Sequence, residues 1–207
     1  MLRLRALAFA VSPLAVAALA PVPPSAQLNN GPAQVQPHLG AVDTMTARFT
    51  QTDRRGRSLS GTLSLKRPGK IRFDYGRNAN MLIVGDGRAL TFIDFDVNDR
   101  QRWPINDSPL SVLLNPDQDL SRFARVVRND AQVLMIEARD PRRREFGTIT
   151  IAFSKSGSAP GGLVLEGWNT LDAQNNRTQV RLSNQRFNVP VADNLFRVPS
   201  VRRGPRG

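Results

Sequence analysis

The chain has 207 residues, no cysteine and a formal net charge of +12, with 29 lysine and arginine residues against 17 aspartate and glutamate residues. The lack of cysteine excludes disulfide bonds, thiol catalysis and a lipid anchor attached through cysteine. The basic residues are scattered and lack the aromatic platform of a single-strand binder, which disfavours nucleic acid and leaves anionic headgroups, an acidic partner or solvated turns as explanations for the charge.

The N-terminus has the layout of a secretory signal peptide. Arg3 and Arg5 precede an apolar run at residues 6–20, and proline-rich sequence follows as far as Ala26. The apolar run is shorter than the roughly 20 residues that cross a bilayer, so a retained membrane anchor is the lesser alternative. We expect export and cleavage after Ala26. This divides the chain into a signal peptide (1–26), a single domain (27–199) and a basic disordered tail (200–207).

A helix and five strands are predicted in the first half of the domain. Val35, Leu39, Val42 and Met45 lie at helical spacing, which predicts a helix over 35–46 with Pro37 in its first turn. Alternating apolar and polar residues, separated by turn residues, then predict strands at 47–54, 60–67, 70–75, 81–84 and 89–95.

The segment 61–75 is the most informative part of the chain. Its odd positions are mostly apolar and its even positions mostly polar, and Pro68-Gly69 predicts a turn between two strands of a hairpin. Arg67 stands in the apolar row at a strand end. A buried guanidinium keeps its charge and needs carbonyls or a carboxylate as partners. The alternative is that Arg67 reaches water along its aliphatic stem.

The second half is predicted to begin with two short helices. Ser108 can cap a helix over 108–115 with Pro109 at its first position, and 117–126 is predicted to be a further helix. Strands follow at 133–138, 147–153, 163–171 and 177–187. The expected fold is α+β, a strongly curved antiparallel sheet covered on one side. The pattern alone favours a packed core over a cavity.

Catalytic chemistry has little support in the sequence. His38 is the sole histidine, which we expect at the surface, and there is no nucleophile-elbow motif. Asp94, Asp96 and Asp99 are more typical of a solvated hairpin end than of a metal site, because they lack the glycine-containing loop of a calcium site. We therefore expect neither an enzyme nor a cofactor.

Five short motifs occur in an order that resembles the periplasmic LolA family of lipoprotein carriers. They are Ala47-Arg48-Phe49-Thr50-Gln51, the stretch from Lys66 to Phe73, Val84-Gly85-Asp86-Gly87, Ser108-Pro109-Leu110, and the stretch from Asn194 to Pro199. Each motif is weak alone, and the signal is their collinear order over nearly all of the mature chain. The related outer-membrane receptor LolB is anchored through a cysteine, which this chain lacks.

The resemblance implies an incomplete, unclosed antiparallel β-barrel with short helices that form a lid over an apolar cavity. It implies a monomeric periplasmic carrier that binds the acyl chains of lipoproteins. The implied partners are acylated lipoproteins, an inner-membrane lipoprotein-releasing ABC transporter, and LolB or the outer membrane itself. A periplasmic sensor or binding module of the same fold, which detects lipids or binds a protein, is the alternative.

The resemblance also gives Arg67 a role, because in LolA-like proteins the matching arginine bonds backbone carbonyls of the lid helices and holds the empty form closed. We expect Arg67 to do this against the helix over 108–115. Ile71 departs from the family, which often has an aromatic residue there. The expected cavity and lid residues are Leu63, Leu65, Ile71, Phe73, Leu82, Val84, Phe92, Leu110, Leu113 and Leu114.

Overall fold

A computed structural model describes residues 31–76, 79–105, 108, 110–117, 119–139 and 147–199. The predicted signal peptide and the basic tail lie outside these residues, as does Pro109. The strands in chain order are β1 Thr44–Thr52, β2 Ser58–Lys66, β3 Lys70–Asp74, β4 Met81–Asp86, β5 Ala89–Asp94, β6 Asp99–Pro104, β7 Ala124–Asn129, β8 Val133–Ala138, β9 Thr148–Lys155, β10 Leu163–Leu171 and β11 Arg177–Phe187. The α-helices are α1 Gln36–Ala41 and α2 Ser111–Leu114, and 3₁₀ turns cover Pro32–Val35, Leu120–Arg122, Pro160–Gly162 and Asp193–Phe196.

The described strands form one 11-stranded antiparallel sheet in the order β6-β5-β4-β3-β2-β1-β11-β10-β9-β8-β7. Two meanders, β1 to β6 and β7 to β11, are joined where β1 pairs with β11, with Phe49 opposite Leu182. The edge strands β6 and β7 do not pair with each other, so the barrel is open. The chain between these two edges carries α2.

The main core lies between one face of the sheet, called the inner face here, and the two helices. Alternation places Leu63, Leu65 and Ile71 on this face, and each is at most 1% exposed. They belong to one apolar cluster with three residues of the first helical segment and three of α2, which are Val35, Leu39, Val42, Val112, Leu113 and Leu114. The helices therefore cover the inner face, as the expected architecture requires.

A second, smaller apolar cluster lies on the opposite, outer face. Leu82, Val84 and Ile93 pack there against Val191 and Phe196. The segment that covers them, residues 189–198, is called the C-terminal strap. The sequence predicted a cover on one side of the sheet, and in this region the strap adds a second cover on the outer face that was not predicted.

Two predicted helices were too long or wrong. The first ends at Ala41, and β1 begins at Thr44, because Met45, Ala47 and Phe49 alternate with more exposed residues in a strand. The second, over 117–126, is a 3₁₀ turn at Leu120–Arg122 followed by β7. There the β-branched pair Val126-Val127 and pairing with β8 decide the structure.

Strand β6 was missed because an edge strand carries little apolar signal. Its residues are half-buried or exposed, and it is held by pairing with β5 from Asp94↔Asp99 to Ala89↔Pro104. Among the described helices, none combines the length and the apolarity required to cross a bilayer.

Candidate functional site

Arg67 follows directly after β2 and connects the sheet to both helices. Its Nε donates to the carbonyl of Leu113 at 3.0 Å, and its Nη1 donates to the carbonyls of Leu39, at 3.3 Å, and Val42. The acceptors lie at the C-terminal ends of α2 and α1. Helix ends leave backbone carbonyls without intrahelical donors, so one guanidinium satisfies carbonyls of two helices.

Asp43 contacts Arg67 through both its backbone carbonyl and its side-chain charge. The Arg67 amide donates to the carbonyl of Asp43 at 2.8 Å. Burial lowers the pKa of Arg67 to about 10, and the nearby Asp43 carboxylate opposes this change. The side chain thus stays charged at neutral pH, and its partners are the carbonyls that a buried guanidinium requires.

The turn around Arg67 makes a second bond to α2. The Gly69 amide donates to the carbonyl of Leu114 at 3.0 Å. Gly69 has a φ of +75°, and a Cβ there would lie 2.8 Å from the Cα of Gly87, so this position requires glycine. We call residues 66–70 the latch turn, and α1 with α2 the lid.

Further hydrogen bonds connect α1 to the chain after α2 and stabilise the start of α2. Gln36 of α1 donates from its side-chain nitrogen to the carbonyl of Pro116, just after α2. Ser108 precedes α2, and its hydroxyl accepts a bond from the Leu110 amide at 3.2 Å. The helix itself covers only Ser111–Leu114, shorter than the predicted 108–115. The lid is thus two short helices held at their C-terminal ends by the latch turn.

His38 lies inside the molecule, so its expected surface position was wrong. It is 1% exposed, its ring packs edge-on against Phe153 and Phe187, and its Nδ1 lies 3.0 Å from the carbonyl oxygen of Pro160. Burial lowers the pKa of His38, and the positive charge of Arg67 lowers it further. The spacing Val35, His38, Leu39, Val42 is that of one helix face, a signal that sequence reasoning overlooked.

Aromatic side chains form a chain of contacts on the inner face. Phe49 packs edge-on against Phe73 and Tyr75 at ring distances of 5.3 and 5.0 Å, and Phe73 contacts Trp168 at 6.0 Å. Tyr75 donates its hydroxyl to Gln51 at 2.7 Å, and burial raises the pKa of Tyr75 to about 12. Of these rings only Phe73 was among the predicted cavity residues, and the other three add polarisable apolar surface to this face.

The structure brings together most of the residues expected at the cavity and the lid. Four sheet residues lie on the inner face, and Leu113 and Leu114 of the lid are buried in the same cluster; the four are Leu63, Leu65, Ile71 and Phe73. Leu110 is half-buried against this cluster. Phe92 is half-buried opposite Ile83, which also packs on this core.

Leu82 and Val84 do not join this group, which corrects their expected place in the cavity. Both lie on the outer face beneath the C-terminal strap, while Met81 and Ile83 take the inner positions. The run from Met81 to Val84 is apolar at every position, so alternation does not say which residues face inward. Pairing with β3 decides this, because Ile83 is opposite Phe73.

The carboxylates of the β5–β6 hairpin stabilise its turn. Asp94 accepts bonds from the amides of Asp96 and Val97 at 3.0 and 3.4 Å, and Asp96 accepts one from the Asn80 side chain at 2.7 Å. Asp99 accepts a bond from Gln101 at 2.9 Å. Within the described ranges, no three histidine, aspartate or glutamate side chains are grouped as a metal site.

The sequence relatives are carrier proteins. A sequence profile described as "Outer membrane lipoprotein carrier protein LolA" matches residues 40–199. The chain is 30% identical over 189 residues to an outer-membrane lipoprotein carrier protein of Actinobacillus succinogenes. The alignment covers 86% of this chain and 85% of the relative. The chain is 27% identical over 197 residues to one from Bordetella avium, which covers 90% and 92% of the two chains. Since the profile spans the whole sheet, α2 and the C-terminal strap, the chain belongs to the LolA family of outer-membrane lipoprotein carrier proteins.

Proposed function

We propose that this protein carries lipoproteins through the periplasm from the inner to the outer membrane, with their acyl chains held between the inner face and the lid. Exposure of acyl chains to water costs about 0.8 kcal/mol per methylene, so a lipoprotein needs a cover on this route. An apolar sheet face closed by two short helices offers such a cover. The proposed activity is binding and transfer, without catalysis.

The observation that carries the proposal is the Arg67 latch. The closed form has three bonds from one half-buried guanidinium to lid carbonyls, and ligand entry under the lid must break them. Hydrogen bonds to a charged group contribute about 1.5–3 kcal/mol each. The loaded form is thereby less stable than the closed form, which favours handing the cargo on.

The partners we propose follow from this route. Cargo is received from an inner-membrane lipoprotein-releasing ABC transporter, and it is delivered to a LolB receptor or directly to the outer membrane. The direct test is to incubate the purified protein with spheroplasts and to assay the supernatant for a one-to-one complex with lipoproteins. A folded protein that yields no complex, beside a known carrier that does, would contradict the carrier role and favour a lipid-sensing or protein-binding module.

The variant Arg67→Leu tests the latch. We expect it to accept lipoprotein but to pass it on about 10- to 100-fold less well, because loss of the latch bonds destabilises the closed form by about 1.4–2.8 kcal/mol or more. Transfer from the isolated complex to outer-membrane vesicles measures this. Arg88→Leu, at an exposed position of the β4–β5 turn, is the matched control. Normal transfer by Arg67→Leu would refute the latch.

A further inference from the structure

The latch turn has a charged contact on the face of the sheet opposite the lid. The Asp193 carboxylate accepts from Lys70 Nζ at 2.7 Å and from Lys66 Nζ at 3.1 Å. Lys66 and Lys70 are directly paired at the end of the β2–β3 hairpin, so they bracket the turn that contains Arg67 and Gly69. The two bonds join both ends of the turn to one carboxylate.

Asp193 is itself held by the rest of the C-terminal strap. Phe196 and Val191 are 3% and 9% exposed and pack against the outer apolar cluster. The carbonyl of Leu195 accepts a bond from Arg72 at 3.2 Å. The carboxylate is therefore fixed by contacts that do not depend on the lysines.

We propose that Asp193 is a positioning residue for the latch, acting through the Lys66 and Lys70 ammonium groups to keep Arg67 and Gly69 aligned with the lid carbonyls. This rests on the proposed latch function of Arg67. Two ammonium groups at paired positions repel each other, and the carboxylate that bonds both offsets that repulsion. The lysine contacts also lower the pKa of Asp193, so the carboxylate is charged at neutral pH.

The effect of removing the Asp193 charge is expected to be small, because both ion pairs are solvent-exposed and such pairs are individually weak. The readout is amide hydrogen exchange at Gly69 in the ligand-free protein, since that amide is bonded to Leu114 of the lid. In Asp193→Asn we expect Gly69 protection to fall about two- to fivefold, a range that matches the strength of exposed ion pairs. Asp193→Glu should restore at least half of the lost protection.

Two comparisons separate positioning from general weakening. Glu137→Gln removes an exposed ion pair with Arg125, 2.7 Å long, between β7 and β8 and away from the latch turn, and should leave Gly69 exchange unchanged. In an Arg67→Leu background, Asp193→Asn should add no further loss of protection. Unchanged protection in Asp193→Asn, or an equal loss with and without Arg67, would overturn the proposal. These outcomes need no lipoprotein, so they are separate from any failure of the carrier function.

Discussion

Two neighbouring basic side chains of this protein differ in charge, although burial lowers the pKa of both. Arg67 keeps its charge, and backbone carbonyls of both lid helices accept hydrogen bonds from its guanidinium. His38 instead donates from one ring nitrogen to the Pro160 carbonyl and packs its ring against phenylalanines, and the adjacent positive charge disfavours a second proton. One side chain acts as a charged donor and the other as a neutral part of the core.

The stability of the protein should therefore fall as the solution becomes acidic. The pKa of His38 is lowered from 6.5, so below about pH 6.5 the unfolded chain binds a proton that the folded protein does not. The contribution of His38 to the unfolding free energy is fully present above about pH 6.5, and it decreases as the pH falls toward the lowered pKa. Urea unfolding between pH 8 and pH 5 measures this, and His38→Gln should remove the pH dependence over that window.

NMR titration provides a direct check, because His38 is the only histidine in the sequence. Its imidazole resonance should titrate with a midpoint below 6.5 in the folded protein. A midpoint at or above that value would show that the ring is hydrated or paired with an acid, which would contradict the buried position.

The short helices of this protein depend on turns from elsewhere in the chain. The lid helices have six and four residues, too short to be stable alone, so their positions depend on tertiary contacts. The latch turn holds the C-terminal end of α2. The 3₁₀ turn Pro160–Gly162 packs against α1. A Cβ on Gly161 would collide with the backbone nitrogen of His38.

Gly161→Ala should accordingly displace α1. Gly161 has a φ of +62°, and its Cβ would also lie 2.4 Å from the Pro37 carbonyl carbon, so both backbone strain and a clash with backbone are expected. We expect a loss of about 2–4 kcal/mol of unfolding free energy. Gly157→Ala in the same loop is the control, because nothing lies within 4 Å of its Cβ and its φ is not positive. Equal stability of the two variants in urea would contradict the packing described for α1.

Taken as a whole, the sheet is open, and its two free edges are protected by charge. β6 carries Arg100 and Arg102 and ends at Pro104, and β7 carries Arg125 and Arg128. Charged residues and proline on edge strands hinder pairing with another chain. The middle of the sheet, where β1 pairs with β11, joins the first and last strands of the domain and links its two halves.

This arrangement predicts a gradient of stability across the molecule. Sheet-bonded amides of β6 and β7 should exchange with solvent at least about 10-fold faster than those of β1 and β11, because the edge strands have one partner and mostly exposed side chains. Residue-resolved hydrogen exchange measures it. Uniform protection across the sheet would mean that the halves unfold only together, and would refute the gradient.

Sequence reasoning was strongest where the structure is local. The alternation on either side of Pro68-Gly69 predicted the β2–β3 hairpin and placed Arg67 at its strand end, within one residue of the observed boundary. It failed at Met45, which fits both the helical spacing of the preceding residues and the alternation of β1. It also failed in β4, which is apolar on both faces. Edge strand β6 gave no signal because partners and backbone bonds, not apolar burial, hold it in place.

Periodicity, turn residues and ordered motifs are properties of neighbouring residues, and they were enough to predict the strand-rich fold, the resemblance to the LolA family and the place of Arg67 at a strand end. Three features could be seen only in the folded protein: Arg67 reaches α1 as well as α2, His38 is buried, and Leu82 and Val84 lie beneath the C-terminal strap. Those outcomes depend on strand register and on contacts between residues far apart in the chain, such as Asp193 with Lys66, which no local pattern records.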